Sequence, residues 1–181
     1  MTTFPEIHIE KFSRFEDDRG HMARLWDFAD QDFRVAQISQ SRTAHSGVLR
    51  GISVSFPPHR EAKIIACTAG LMQWIVLDLR ISSPTIGRWM EILLTPGTSV
   101  FVPAGFGHGC LALEAPVDLI LAADQPYNPA HFAGIRWDDS NVAIGWRLQE
   151  TGQPLVSSAH EALSSYQTVL EKLKSSHGDC S

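Results

Sequence analysis

The sequence has few charged residues and no long apolar run. Charged side chains make up 19% of its 181 residues, and 15 basic residues stand against 20 acidic ones, for a formal net charge of −5. Proteins that neutralise a phosphate backbone carry clustered Lys and Arg. No such cluster occurs in the sequence, so we expect no nucleic-acid partner, although single arginines can serve small anionic ligands.

The sequence also lacks segments that would target or anchor the chain. No apolar run reaches the ~18 residues that a membrane span requires. The start, MTTFPEIHIEKF, does not place basic residues before an apolar stretch as a signal peptide does. We therefore expect a cytoplasmic protein without membrane association.

Cysteines are few and irregularly placed. Cys67, Cys110 and Cys180 are an odd number without C-x-x-C spacing, which suits a reducing compartment and disfavours a zinc site. We interpret Cys67 and Cys110 as small core residues.

The sequence does contain many short strand patterns. From residue 7 to about 146, clusters of Gly, Pro, Asp and Ser separate apolar stretches at intervals of roughly 8 to 12 residues, which is typical of a β-sandwich or β-barrel. The alternation is clearest at Gly70–Arg80, whose polar end we expect to leave the core. The predicted strands are Met22–Asp27, Phe33–Ser41, Leu49–Phe56, Lys63–Thr68, Gly70–Arg80, Trp89–Leu94, Ser99–Val102, Gly109–Leu113 and Val117–Ala122.

The end of the chain follows a different period. Apolar residues from Ala159 to Leu173 recur at helical spacing, and Ser158 with Glu161 forms a capping-box pattern before them. We predict a barrel domain over residues 1–150, then a linker and a C-terminal helix over 151–181. The helix is expected to pack on the barrel or on a partner subunit.

One glycine-rich turn suggests a site. Residues 103–109 have the P-x-G-x-x-H spacing of the second half of cupin barrels, which delivers His108 to the barrel mouth. A catalytic metal needs about three protein ligands, but the corresponding earlier strand carries Ser53 and Ser55 where imidazoles would stand. We expect no metal; His59 would contribute a ligand only if the adjacent Pro57-Pro58 turn folds back.

Six segments in order carry a resemblance to a known family. They are Asp17–Gly20, Arg50–Gly51, Lys63, the run D-L-R-I-S-S-P-T-I-G-R-W at 78–89, Pro103–Gly109 and Ile135–Asp139. Together they resemble the dTDP-4-dehydrorhamnose 3,5-epimerase family from about residue 4 to residue 148. The resemblance implies an all-β, cupin-type (RmlC-like) antiparallel β-barrel, or jelly roll, with the C-terminal α-helix added, and a homodimer that exchanges strands.

The resemblance also implies a chemistry. Family members remove and return protons beside the ketone of a nucleotide-linked sugar without a cofactor, which requires a base, a group that holds the enolate charge, and an acid on the opposite face. Lys63 matches the family lysine near the enolate, and His108 matches a histidine that contacts substrate. Arg19 and Arg50 match residues that grip the substrate. The alternatives are a solvated strand-end lysine, a packed histidine and structural arginines.

Three further residues match family positions. Asp138 and Asp139 cover a W-x-D turn whose aspartate orients the base, and Tyr127 resembles an aromatic residue that stacks on the nucleotide base. Simple loop packing is the alternative for Tyr127.

The two proton carriers of the family are missing. Ser53 stands at the position of the base histidine and Leu121 at that of the acid tyrosine, where neither side chain can transfer the proton. Ser39 in place of asparagine and Arg24 in place of an acidic residue indicate a reshaped pocket.

We therefore expect an epimerase or isomerase that acts on a 4-keto nucleotide sugar or a comparable ketone, in which Lys63 and His108 carry the remaining chemistry. Two alternatives stay open: a biosynthetic cyclase or isomerase with a non-sugar substrate, and a catalytically silent binding homologue.

Overall fold

The part of the chain that the structure describes contains ten antiparallel strands and three short-to-medium helices. The computed structural model describes residues 3–27 and 33–178. The strands are β1 (His8–Lys11), β2 (Arg14–Asp17), β3 (Gly20–Ala23), β4 (Gln37–Thr43), β5 (Leu49–Ser55), β6 (Lys63–Asp78), β7 (Trp89–Leu94), β8 (Thr98–Val102), β9 (Phe106–Ala123) and β10 (Phe132–Gly134). The helices are α1 (Leu148–Thr151), α2 (Ser158–Glu161) and α3 (Tyr166–Gly178), and a 3₁₀ turn spans Pro129–His131.

Two long strands form the centre of the sheet. Strands β6 and β9 pair along their length, from Lys63 opposite Ala123 to Asp78 opposite Phe106. The sheet order is β1-β8-β6-β9-β5-β10, with β4 added on β9 and β7 on β6, while β2 and β3 form a separate hairpin. Alternate residues of β6 enter two apolar clusters, Trp74 in the first and Ile75 in the second, because successive strand side chains point to opposite faces.

The structure joins strands that the sequence pattern separates. The predicted Lys63–Thr68 and Gly70–Arg80 form the single strand β6, and Gly109–Leu113 and Val117–Ala122 form β9. Gly70 lies at φ +78°, and a Cβ there would lie 2.4 Å from the carbonyl oxygen of Pro116. This glycine therefore bends a continuous strand instead of ending it. Strands β1, β2 and β10 were not predicted, whereas β7 has its predicted bounds.

The polar end of β6 is buried, which corrects the expectation that it leaves the core. Asp78 is fully buried and accepts hydrogen bonds from the side chains of Arg80 (2.9 Å), Ser83 (2.5 Å) and Thr85 (2.7 Å). Burial alone would raise the pKa of Asp78, but these hydrogen bonds lower it to about 2. The D-L-R-x-x-S-P-T run thus closes a turn around one buried carboxylate.

The predicted C-terminal helix is present but interrupted. Ser157, not Ser158, caps α2, since its side chain accepts from the backbone N–H of His160. The longer helix α3 begins only at Tyr166, whose backbone N–H donates to Asp139 Oδ2 at 2.9 Å. Tyr166, Val169 and Leu173 are buried in the second apolar cluster, so the helix packs on the sheet of its own chain.

Two further observations concern the cysteines and the helices. Cys67 and Cys110 are buried free thiols, as predicted, while Cys180 lies outside the described residues. Across residues 3–27 and 33–178, no helix combines the length and the apolar character that crossing a bilayer demands.

Candidate active site

A cavity of about 190 Å³ opens between β4, β5, β6, β9 and α2. Four of the residues predicted from the sequence line it: Arg50, Ser53, His108 and Leu121. The register explains their convergence, because Ser53 on β5 pairs with His108 on β9, and Leu121 on β9 pairs with Ser39 on β4. Directly paired residues of antiparallel strands point to the same face.

Close contact between β5 and β9 shapes the wall of this cavity. Gly51 lies at φ +98°, and a Cβ there would lie 2.7 Å from Gly109 Cα and from the His108 carbonyl oxygen. Only glycine tolerates both that backbone conformation and that approach. The glycine of the R-G motif therefore allows β5 and β9 to approach each other closely between Arg50 and Ser53.

His108 is a packed, neutral imidazole. Its ring stacks on the indole of Trp74, with centroids 5.3 Å apart and planes 9° from parallel. Burial, and secondarily the positive charge of Lys63, lower its pKa well below the ordinary value. At neutral pH, His108 is therefore a hydrogen-bonding group and not a cation.

Lys63 does not line the cavity, but its positive charge acts on His108 inside it. Its Nζ lies 2.7 Å from Glu61 Oε2, with side chains 15% and 5% exposed. Nζ also lies 5.3 Å from the ring centroid of Phe132. Lys63 is thus not the solvated strand-end lysine of the alternative interpretation, although it is not among the residues that line the cavity.

Arg50 and Ser39 occupy the β4–β5 side. Arg50 Nη1 donates to Ser41 Oγ at 2.8 Å, in the cavity wall. Ser39 Oγ accepts from Gln37 Nε2 at 3.1 Å. This contact is to a neutral hydroxyl and uses one of the five guanidinium N–H donors, so other donors can serve an anionic ligand.

The remaining predicted residues do not line the cavity. Arg19, on the β2–β3 turn, pairs with Asp17 at 2.6 Å and is 90% exposed. Arg24 Cζ lies 5.1 Å from the ring centroid of Phe15. Tyr127 is 57% exposed and contacts Phe132, with ring centroids 5.1 Å apart.

The two aspartates of the W-x-D turn are engaged elsewhere. Asp138 pairs with Arg136 at 2.7 Å. Asp139 is buried and accepts from the backbone N–H groups of Asn141 and Tyr166, both at 2.9 Å. In this structure Asp139 therefore supports the start of α3, and neither carboxylate reaches the cavity.

Several cavity residues are not predicted as site residues from the sequence, and Trp74 and His160 are the two that bear on the chemistry. The sequence predicts a strand for Trp74 but indicates no functional role. The register between β6 and β9 brings its indole against the ring of His108. His160 enters from α2, in the tail where packing alone was expected. The sole signal for His160 was a histidine within the predicted capping turn.

Metal-ligating residues do not cluster in the described chain. Within residues 3–27 and 33–178, no three His, Cys, Asp or Glu side chains come close enough to share an ion. The ring of His59 lies 4.6 Å from that of His131, and neither residue lines the cavity.

Comparison with known proteins decides the family. The sequence model described as dTDP-4-dehydrorhamnose 3,5-epimerase matches residues 1–168. The chain belongs to this family. The match passes residue 148, where the resemblance in the sequence ended, and takes in α2 with His160.

Sequence relatives and solved structures agree with the dTDP-4-dehydrorhamnose 3,5-epimerase family. The chain is 31% identical over 155 residues to the dTDP-4-dehydrorhamnose 3,5-epimerase of Sinorhizobium fredii, covering 81% of this chain and 78% of the relative. It is similar to RmlC of Legionella pneumophila in complex with dTDP-4-keto-L-rhamnose (TM-score 0.86, 25% identity, 95% and 94% of the chains covered). It is also similar to the rmlC epimerase of Mycobacterium tuberculosis (TM-score 0.85, 27% identity, 100% and 98% covered).

These likenesses confirm the predicted fold and family. The protein is an all-β, cupin-type antiparallel barrel with a C-terminal helix, and its family consists of isomerase-type enzymes.

Proposed function

We propose that this protein binds a 4-keto nucleotide sugar and moves protons at the carbons beside the ketone, with altered proton-transfer machinery. The observation that carries the proposal is one cavity in which Arg50 and His108 line the wall beside Ser53 and Leu121. Arg50 and His108 match the substrate-binding arginine and the histidine that the resemblance implies. The hydroxyl of Ser53 and the alkyl group of Leu121 occupy the positions of the base and the acid.

The electrostatics of the cavity favour an enolate. The positive charge of Lys63 that lowers the pKa of His108 also stabilises negative charge that develops on a ketone oxygen nearby. Neutral His108 can donate a hydrogen bond to the same oxygen. Arg50, which lines the cavity, supplies a second positive group.

The size of the cavity limits what enters it. About 190 Å³ is less than the ~300–1,000 Å³ of sites that enclose a drug-sized ligand. We assign the sugar to the cavity and the nucleotide to the surface outside it, and we name the exposed side chains of Tyr127 and Arg19 as candidates to bind the nucleotide.

The apolar wall keeps a second function in view. Met72, Trp74, Leu119 and Leu121 line the same cavity, and such a surface also suits a smaller, less polar ketone. A cyclase or isomerase with a non-sugar substrate is therefore the second candidate.

The β2–β3 hairpin supports a homodimer. Phe15 and Met22 are both exposed on it, and exposed apolar side chains in proximity favour association. We propose that Phe15 and Met22 of the hairpin contact a second copy of the chain in the cytoplasm. Analytical ultracentrifugation tests this proposal. We expect a dimer for the wild type and a monomer for F15E/M22E, and a monomeric wild type contradicts the proposal.

The catalytic proposal is tested by isotope exchange. The protein is incubated in D₂O with a dTDP-4-keto-6-deoxy sugar, and deuterium at C3 and C5 is measured by mass spectrometry against a control without enzyme. We expect incorporation above the control, and a large loss in K63M but not in K174M, which changes an exposed lysine of α3. Binding of dTDP without exchange would indicate a silent homologue; neither binding nor exchange would favour the non-sugar substrate.

A further inference from the structure

A second imidazole enters the cavity from outside the barrel. His160 lies in α2, the four-residue helix Ser158–Glu161, and lines the same cavity as Arg50, Ser53 and His108. The two histidines reach the cavity from different elements, one from β9 and one from the C-terminal segment. The family position for a base imidazole, by contrast, is occupied here by Ser53.

The segment that carries His160 is fixed at both ends. On one side, Leu155 exchanges backbone hydrogen bonds with Gly47 (2.7 Å) and Leu49 (3.0 Å). On the other, Ser164 bonds to the backbone of Gly134 (3.1 Å) and Arg136 (2.9 Å). The eight residues between these anchors are therefore held in a defined position, and so is the one of them that lines the cavity, His160, as a catalytic side chain requires.

The ring of His160 is oriented as well. Its Nδ1 lies 2.8 Å from Ser157 Oγ, the hydroxyl that also caps α2. In the tautomer whose Nδ1–H donates to Ser157 Oγ, Nε2 keeps the lone pair with which it can accept a proton. A partner on one ring nitrogen that sets the function of the other is the usual way in which a histidine is prepared for proton transfer.

The charge of His160 suits a base. Burial, and secondarily the positive charge of Arg50, lower its pKa below the ordinary value, so the ring is neutral at physiological pH. The pKa of His108 is lowered by burial and by the charge of Lys63 instead, so a different cation acts on each imidazole.

We propose that His160 is the general base of this protein, replacing the histidine that Ser53 has displaced, and that Ser157 is its positioning residue. This inference rests on the proposed function. Nε2 takes the proton from the carbon beside the ketone; the C–H electron pair forms the C=C bond, and the C=O π pair moves onto oxygen as an enolate. The imidazolium returns a proton to the carbon after exchange with solvent, so no oxidant or further reactant is needed.

The test compares H160Q with H45Q, which changes an exposed histidine away from the cavity. In the D₂O assay we expect H160Q to lose roughly 10²–10⁴-fold in exchange rate with dTDP affinity within about twofold of wild type, and H45Q to retain the wild-type rate. H160A should regain exchange when imidazole is added to the buffer. S157A should lower the exchange rate without changing dTDP affinity, and S157T should recover it.

The outcomes separate the two proposals. A wild type without exchange overturns both. Wild-type exchange that persists in H160Q, or H160A that stays inactive with imidazole while still binding dTDP, overturns the assignment of His160 and leaves the proposed function standing.

Discussion

The buried carboxylate of Asp78 should account for a measurable part of the stability of this barrel. Its pKa is about 2 against an ordinary value of 3.8, and this difference corresponds to about 2 kcal/mol of stability at pH 7. Because the pKa is depressed in the folded state, the contribution is complete above pH 4 and is lost as the pH falls from about 4 through about 2. Asp78→Asn keeps the shape of the side chain and removes its charge.

The assay is urea unfolding, followed by tryptophan fluorescence at fixed protein concentration. We expect D78N to be less stable than wild type by at least about 2 kcal/mol at pH 7. This difference should narrow by about 1 kcal/mol at pH 3 and by about 2 kcal/mol at pH 2. D18N, in the exposed β2–β3 turn, controls for the loss of one negative charge and should follow the wild-type curve. An equal D78N deficit at pH 7 and pH 3 would refute the view that the charge of Asp78 stabilises the turn.

Three other substitutions test the packing and the site. Leu173 of α3 is 2% exposed, so L173A should cost about 2–5 kcal/mol in urea unfolding, against less than about 0.5 kcal/mol for the exposed neighbour in K174A. G51A adds a Cβ 2.7 Å from atoms of β9 at φ +98° and should lower stability by about 1–3 kcal/mol; an unchanged melting temperature contradicts the close approach of the strands. S53H alone should not give strong epimerisation, measured as inverted product by NMR, because Leu121 still offers no acid. Vigorous turnover by that single variant would show that Leu121 is not at the acid position.

Local patterns predicted much of the sheet but not its continuity. Alternation located all of β7 and all of β5, the latter with one residue too many at its end, because each lies between true turns. The glycine at position 70 looks like a turn in sequence, yet Pro116 and Glu114 carbonyls of β9 pack against it and carry the strand onward. Likewise, the start of α3 depends on Asp139, a carboxylate 27 residues earlier in the chain, which no local capping pattern contains.

The candidate site was predictable where its residues match family motif positions, and not where only the folded chain brings a residue to the cavity, as it does Trp74 and His160. The family resemblance predicted four of the cavity residues because it assigns them positions in the barrel. They are Arg50, Ser53, His108 and Leu121. His160 comes from a segment whose path is set by backbone contacts to Gly47, Gly134 and their neighbours. Such contacts leave no side-chain signature in the sequence, which is why this histidine was missed.

The residues that identify the family and the residues that line the cavity are largely different sets. The D-L-R-x-x-S-P-T run encloses Asp78 in a turn, and none of it lines the cavity. Those motif residues therefore support the barrel directly and the chemistry only indirectly. The reaction depends instead on which side chains meet inside the wall, and there the structure offers two imidazoles and no phenol, because Tyr127 and Tyr166, the two tyrosines of the chain, both lie elsewhere. We therefore expect the proton path in this protein to differ from the histidine and tyrosine pair that the resemblance implies, and we propose His160 as the cavity group that begins it.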